Sequence, residues 1–390
     1  MRSNYKKLGG YIRPVDERNN DGALGEDNLY GISVTKEFII SHANLVGVTF
    51  DGYKVVAPRQ FVYIPDTSRR GDKIAISLNT FGEKIIVSSI CSVFEIIDEN
   101  KLLPEYLMLW FMRPEFDRYA RFMSNGSARE VFDWDCMCGV ELPVPPLPEQ
   151  RKIVRDYQVI TDRIALLRKI NDNLESSART IYKSWFEDYE PFGGEMPANW
   201  FETTIGDLAQ DVVCGKTPPT ASEENYGGKV PFITIPDMHG SVYAVKTERT
   251  LSDIGVKTQA NKTLPENSIC VSCIATVGLV CLTAEPSQTN QQINSIICKP
   301  DISPFYVYLK MTTMEDYLKA LGTGGSTTLN VNKTLFSDIK MLYPDRETVS
   351  AFHRIVEPMF STIRKNQLEL ESLSQLALLI MASLSGTKGA

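Results

Sequence analysis

The hydrophobic pattern divides the chain into two kinds of segment. From Glu149-Gln150 to about Trp185, and again over 352–384, apolar residues recur at alternating spacings of three and four. In the first stretch Ile153, Ile160, Leu167, Leu174 and Ile181 hold one heptad position, and Tyr157, Ile164, Asn171, Ala178 and Trp185 hold its partner. In the second stretch Phe352, Met359, Asn366, Leu373 and Ile380 alternate with Val356, Ile363, Leu370, Ala377 and Leu384. Such spacing puts a continuous apolar seam on one face of a helix and predicts a coiled coil. Pro145-Pro146-Leu147-Pro148 stops the chain before the first helix, and Pro191 with Gly193-Gly194 marks its exit. Pro358 inside the second stretch predicts a kink.

Each seam contains one asparagine, and that oddity predicts a register. Antiparallel helices place one heptad position opposite the other, so Asn171 can face Asn366. The remaining layers follow: Ile153 with Leu384, Tyr157 with Ile380, Ile160 with Ala377, Ile164 with Leu373 and Leu167 with Leu370. On the other side come Leu174 with Ile363, Ala178 with Met359, Ile181 with Val356 and Trp185 with Phe352. Slipping by a heptad would set each amide against an apolar residue, at about 1–3 kcal/mol for an unpaired buried group.

The remaining segments read differently. Short β-type runs broken by Gly, Pro and Asn occupy Tyr53–Ile64 and Lys84–Ile97, then Val230–Ile235, Ser268–Leu282 and Ile293–Cys298. A short amphipathic helix is expected at Pro104–Phe122 and again at Pro304–Leu321. The similarity is a repeat with an offset of about 199 residues. Pro104-Glu105-Tyr106-Leu107 resembles Pro304-Phe305-Tyr306-Val307, Gly126-Ser127 resembles Gly325-Ser326, and Val144-Pro145 resembles Tyr343-Pro344. The expected architecture is α+β, an internal pseudo-repeat with two globular domains separated by two long antiparallel coiled-coil helices. The domains span 1–147 and 191–344, and the helices 148–190 and 345–390.

Composition narrows the class. With 43% hydrophobic and 23% charged residues, the chain is an ordinary globular one. No run reaches the roughly 20 apolar residues that span a bilayer, and Met1-Arg2-Ser3-Asn4-Tyr5 opens no signal segment. Eight cysteines without a secretory signal point to the reducing cytoplasm and no membrane. The net charge is −7, and both globular segments are acidic by about −3. A polyanionic ligand would then require local basic patches or positive charge from partner subunits.

Candidate catalytic chemistry is sparse. Cys270-Val271-Ser272-Cys273 has a metal-like spacing but lies in an apolar β-type run, with His239 the sole nearby histidine, and is read as a buried strand. His42 and His353 have no evident partners, and Asp133-Trp134-Asp135 is read as a turn. The sequence holds no Asn-Pro-Pro-Tyr or Asp-Pro-Pro-Tyr, and Gly322-Thr323-Gly324-Gly325-Ser326 lacks the lysine of a phosphate-binding loop. No catalytic or metal-ligating residue is expected.

Leu142-Pro143-Val144-Pro145-Pro146-Leu147-Pro148-Glu149-Gln150-Arg151-Lys152-Ile153 resembles the junction between recognition domain and helix in specificity subunits of type I restriction–modification enzymes. Pro197-Ala198-Asn199-Trp200, Gly215-Lys216-Thr217-Pro218 and Thr289-Asn290-Gln291-Gln292-Ile293 resemble segments of the same family. Tyr343-Pro344-Asp345-Arg346-Glu347-Thr348, at the second junction, lacks the double proline and the Glu-Gln pair. The resemblance implies a non-catalytic subunit that recognises a bipartite double-stranded DNA target. It would dock two modification subunits and the restriction subunits. No cofactor is expected in this chain; S-adenosylmethionine, ATP and Mg are expected on the partners.

The expected DNA contacts are polar and basic residues of Gly- and Ser-rich loops: Arg69, Arg70, Lys73, Ser127 and Arg129 in the first domain. In the second they are Lys216, Thr217, Ser326 and Thr327, with Asn290 and Gln291 as adenine readers through their amides. Glu149, Gln150, Ile153, Leu167, Asn171, Asn366 and Leu373 are expected to serve helix pairing and partner docking. Helices of about 35 residues would span roughly 50 Å, about one DNA turn or slightly more between readers. The competing reading is a coiled-coil scaffold whose globular ends bind proteins rather than DNA.

Overall fold

The computed structural model describes residues 5–40, 48–67, 71, 73–124, 130–323 and 329–385. The chain divides into two compact units, Met1–Asp162 with Gln375–Ala390, and Arg163–Ser374. Each unit takes one globular domain and a stretch of both long helices. Among the described residues, no helix is long and apolar enough to cross a membrane.

In the first unit the central sheet runs Ile12–Val15, Ser92–Ile96, Phe61–Tyr63, Ile76–Leu78, antiparallel throughout. The strands are short, and every residue of Phe61–Tyr63 and Ile76–Leu78 is buried, hence their apolar and aromatic content. Phe61 and Phe94 stack at 4.9 Å between ring centres, with Phe111 edge-on to both. The single helix expected at Pro104–Phe122 is two, Pro104–Phe111 and Pro114–Met123. Pro114 explains the break: it drives Arg113 to an extended backbone (φ −72, ψ 138).

In the second unit five strands lie in the order Ala209–Cys214, Ile293–Cys298, Ile269–Ser272, Val280–Thr283, Tyr243–Ala244. The first four repeat the antiparallel plan of the first unit, and the last pairs parallel. A second sheet, Arg249–Leu251, Tyr226–Ile233, Gln288–Thr289, has its counterpart in the first unit, where Phe38–Ile40 pairs antiparallel with Tyr30–Ile32 and Leu29 makes a parallel bridge to Ile86. The helix expected at Pro304–Leu321 is again two, Pro304–Thr312 and Glu315–Gly322, broken without a proline at Met314, which is not helical (φ −105, ψ 11).

Both domains close onto a long helix in the same way. Tyr5–Lys7 pairs with Glu141–Pro143, and Phe201–Thr204 pairs with Lys340–Tyr343. Tyr106 donates its hydroxyl to Pro143 O at 3.0 Å, and Tyr306 donates to Leu342 O. The first long helix, Leu147–Phe186, has 40 residues, and the second, Arg346–Ser383, has 38 and is unbroken at Pro358. The first begins before Glu149 because Pro148, in the opening turn, forfeits an N–H that has no intrahelical acceptor there.

The helices pair antiparallel within each unit. In the second unit Asn366 Nδ2 donates to Asn171 Oδ1 at 2.8 Å, and Trp185 lies 6.0 Å from Phe352. Leu174, Ile181 and Met359 pack against the core that holds Ala178, Val356 and Ile363. Arg163 and Glu369 bridge the flank at 2.7 Å. In the first unit Leu384 belongs to the core against which Ile153 and Tyr157 pack, and Ile160 and Ala377 are buried.

Candidate nucleic-acid interface

Three strand ends and one returning segment meet at one edge of the five-stranded sheet. Ala209–Cys214 runs out into Gly215-Lys216-Thr217, beside the Thr289-Asn290-Gln291 turn that leads into Ile293–Cys298. Lys216 N donates to Thr289 O at 2.9 Å, and Thr217 Oγ1 donates to Gln291 Oε1 at 2.6 Å. The crossing is so close that a Cβ on Gly215 would lie 2.2 Å from Asn290 O, so only glycine fits. Cys273 N, just past Ile269–Ser272, donates to Gln292 O at 2.8 Å, and Val331 N donates to Cys273 O at 2.9 Å. The structure therefore brings Lys216, Thr217, Asn290 and Gln291 together.

Asn290 does not suit the role expected of it. It is 8% exposed, its Nδ2 donates to Gln292 Oε1 at 3.0 Å, and its Oδ1 accepts from Gln292 N at 3.0 Å. Both ends of the amide are engaged in the turn and the side chain is buried, so it presents little of itself to a base. Gln291 and Lys216 are exposed.

Ala275 gave no sequence signal. It sits at φ +64, a left-handed conformation that residues with a Cβ rarely adopt, and its N donates to Leu329 O at 3.1 Å. Ala275 and Thr276 are exposed on this strained turn. Ser326 and Thr327 lie outside the described residues, but Asn330, which follows, bridges to Ile274. The first unit repeats the pattern: Asp66 bridges to Val131, Thr67 N donates to Glu130 O at 3.1 Å, and Phe132 N donates to Pro65 O at 2.9 Å. Arg69, Arg70, Ser127 and Arg129 also lie outside the described residues; the flanking segments 65–67 and 130–132 are paired with each other. Lys73 is exposed just beyond the first loop. It lies close enough to Lys36 to oppose its charge, while burial holds Lys36 below the usual lysine range against the pull of Asp117, 2.8 Å away.

The junction residues divide. Glu149 is exposed, whereas Gln150 is fully buried: its Oε1 accepts from Leu103 N at 2.9 Å, and its Nε2 donates to Lys101 O at 2.9 Å and Pro145 O at 2.7 Å. It ties the start of the helix to the domain. At the second junction the buried residue is Val349, and His353 has a partner after all, Ser303 Oγ at 2.9 Å, with its ring stacked on Phe305.

Cys270 and Cys273 are buried at the strand Ile269–Ser272, and burial pushes the Cys273 thiol up to about 12. Among the described residues no cluster of His, Cys, Asp or Glu is arranged to hold a metal. Asp133 caps the short helix Trp134–Cys138 through Cys136 N at 2.8 Å.

The sequence model of the family described as type I restriction modification DNA specificity domain matches residues 10–176 and again 197–377. The specificity subunit of the type I restriction enzyme HindI from Haemophilus influenzae is 32% identical, over 76% of this chain and 80% of that protein. The MjaIX specificity subunit from Methanocaldococcus jannaschii is 25% identical, over 72% of this chain and 68% of that protein. The crystal structure of a type I system S subunit from M. genitalium shares the fold, with a TM-score of 0.65, 14% identity and coverage of 98% of this chain and 95% of that one. With one specificity domain matched in each half and a relative 32% identical over 76% of the chain, this chain belongs to the family of type I restriction–modification DNA specificity subunits.

Proposed function

We propose that this chain reads a bipartite DNA duplex in the cytoplasm, one half-site through each globular domain, and performs no chemistry itself. The observation that carries this is the double match to one DNA specificity domain, at 10–176 and 197–377. The paired helices provide the platform on which two modification subunits and the restriction subunits assemble. Methyl transfer and cleavage, with S-adenosylmethionine, ATP and Mg, belong to those partners. In the second domain the reading surface is the sheet edge bearing Lys216, Thr217, Gln291 and the Ala275-Thr276 turn, where backbone and side-chain donors present a preformed face. In the first it is the paired segments 65–67 and 130–132, which flank Arg69, Arg70, Ser127 and Arg129 in the sequence.

The test is a domain exchange. Residues 1–147 are replaced by the corresponding domain of another specificity subunit, and the methylated sites of cells carrying the chimera with modification subunits are mapped. One half-site should change and the other stay. A change in both half-sites, or no target-dependent methylation with the parent chain, would overturn the reading. In the latter case, duplex-independent assembly would favour a protein scaffold.

A further inference from the structure

Arg249 and Tyr226 form a built cationic platform beside the candidate reading edge. The two residues are far apart in sequence but lie on neighbouring strands, Arg249–Leu251 and Tyr226–Ile233. The Arg249 guanidinium lies over the Tyr226 ring, 5.7 Å from its centre. The Tyr226 hydroxyl donates to Pro218 O at 2.8 Å, and the buried Asn225 donates Nδ2 to Pro219 O at 3.0 Å. The ring that supports Arg249 therefore also fixes the loop that displays Lys216 and Thr217.

What distinguishes Arg249 is the combination of exposure, the ring beside it and the lack of a carboxylate. Several other basic side chains of the second unit are engaged by carboxylates: Lys333 by Asp211, Lys340 by Glu202, Lys246 by Glu371. Among the described residues no carboxylate pairs with Arg249 or Lys216, although Glu248 adjoins Arg249 in sequence. Both are exposed. An arginine held over an aromatic ring gives up less freedom when it binds, and its guanidinium remains a planar fork of N–H donors. That fork suits two oxygens of one phosphate.

We propose that Arg249, supported by Tyr226, clamps a DNA backbone phosphate next to the bases faced by Lys216, Thr217 and Gln291. The proposal rests on the DNA-reading function above. The clamp sets the register of the duplex on the second domain and carries no sequence information itself.

The experiment uses the full chain assembled with its modification subunits. The probes are a duplex carrying the methylated site found by sequencing and a scrambled duplex of equal length, each titrated over a range of salt. Arg249→Gln should weaken binding to both duplexes about fivefold at physiological salt. It should also make the slope of log K against log salt shallower by about 1, the loss of one phosphate contact. Arg249→Lys should keep the slope while losing part of the affinity. Lys340→Gln, which removes a cation already paired, should leave the slope unchanged. The methylated sequence should be the same in all three.

An unchanged slope in Arg249→Gln overturns the clamp. So does relaxed preference at one base pair, which would make Arg249 a reader of a guanine edge. A lowered melting temperature with an unchanged slope would reduce the pair to a structural one. Failure of the parent complex to distinguish the two duplexes would instead sink the DNA-reading function, while the slope on either duplex still reports on the clamp.

Discussion

Asn366 Nδ2 donates to Asn171 Oδ1 at 2.8 Å, a polar layer inside an otherwise apolar seam between the two long helices of the second unit. Both residues are partly buried, so each amide relies on the other for part of its hydrogen bonding. Asn171→Leu leaves Asn366 facing an apolar side chain and should cost about 1 kcal/mol, at the low end for a lost buried partner. The double variant Asn171→Leu/Asn366→Leu should recover that loss while weakening the preference for one register. Urea unfolding of the three proteins measures it; a single variant more stable than the parent would contradict the register role.

Gln150 makes three hydrogen bonds from a fully buried side chain, to Leu103 N, Lys101 O and Pro145 O. Gln150→Leu conserves size but strands one backbone donor and two acceptors. The expected loss is roughly 2–4 kcal/mol, confined to the first unit. Val349→Gln at the second junction should also destabilise, since Ser303 is already engaged by Tyr306 N and His353. Hydrogen exchange resolved along the chain would locate both effects.

His353 titrates below the usual histidine range because burial disfavours its charged form, only partly offset by Glu357. The unfolded chain therefore takes up the proton first as the pH falls. The His353 contribution to stability is complete above about pH 6.5 and is lost progressively as the pH drops from there towards the folded pKa. His353→Gln should flatten that part of the stability profile. Melting temperatures of the two proteins between pH 5 and pH 7, at about half-unit steps, would show it; parallel profiles would rule it out.

The chain carries a net charge of −7, and its ligand is a polyanion. Bound alone, without modification subunits, duplex DNA should be held weakly and lose discrimination at physiological salt. Adding the modification subunits should restore sequence-selective binding. Nanomolar selective binding by the isolated chain in a gel-shift titration would contradict the charge argument.

The long helices were legible because heptad spacing is a local property. Any helix built from Ile153 to Ile181 exposes one apolar stripe, and burying it against a second stripe of the same length leaves few alignments. The lone asparagine in each stripe selects among them, and Asn171 meets Asn366 and Trp185 meets Phe352. The repeat was legible for a similar reason: Tyr106 and Tyr306 recur at the offset because each ties its domain to the strand before a long helix.

What escaped the sequence was decided by partners distant along the chain. Asn290 and Gln291 are neighbours with similar amides, yet the turn consumes the first and leaves the second exposed, which depends on where Gln292 and Thr217 lie. Ala275 is held in its strained turn by Leu329, and Arg249 is singled out only by Tyr226 beneath it. The sequence by itself determined the helices, their seam and the doubling of one domain, since apolar periodicity must be buried whatever surrounds it. Only the tertiary structure decided which polar groups stay free to meet a ligand, because a hydrogen-bonding group is spoken for by whatever the fold sets within about 3 Å of it.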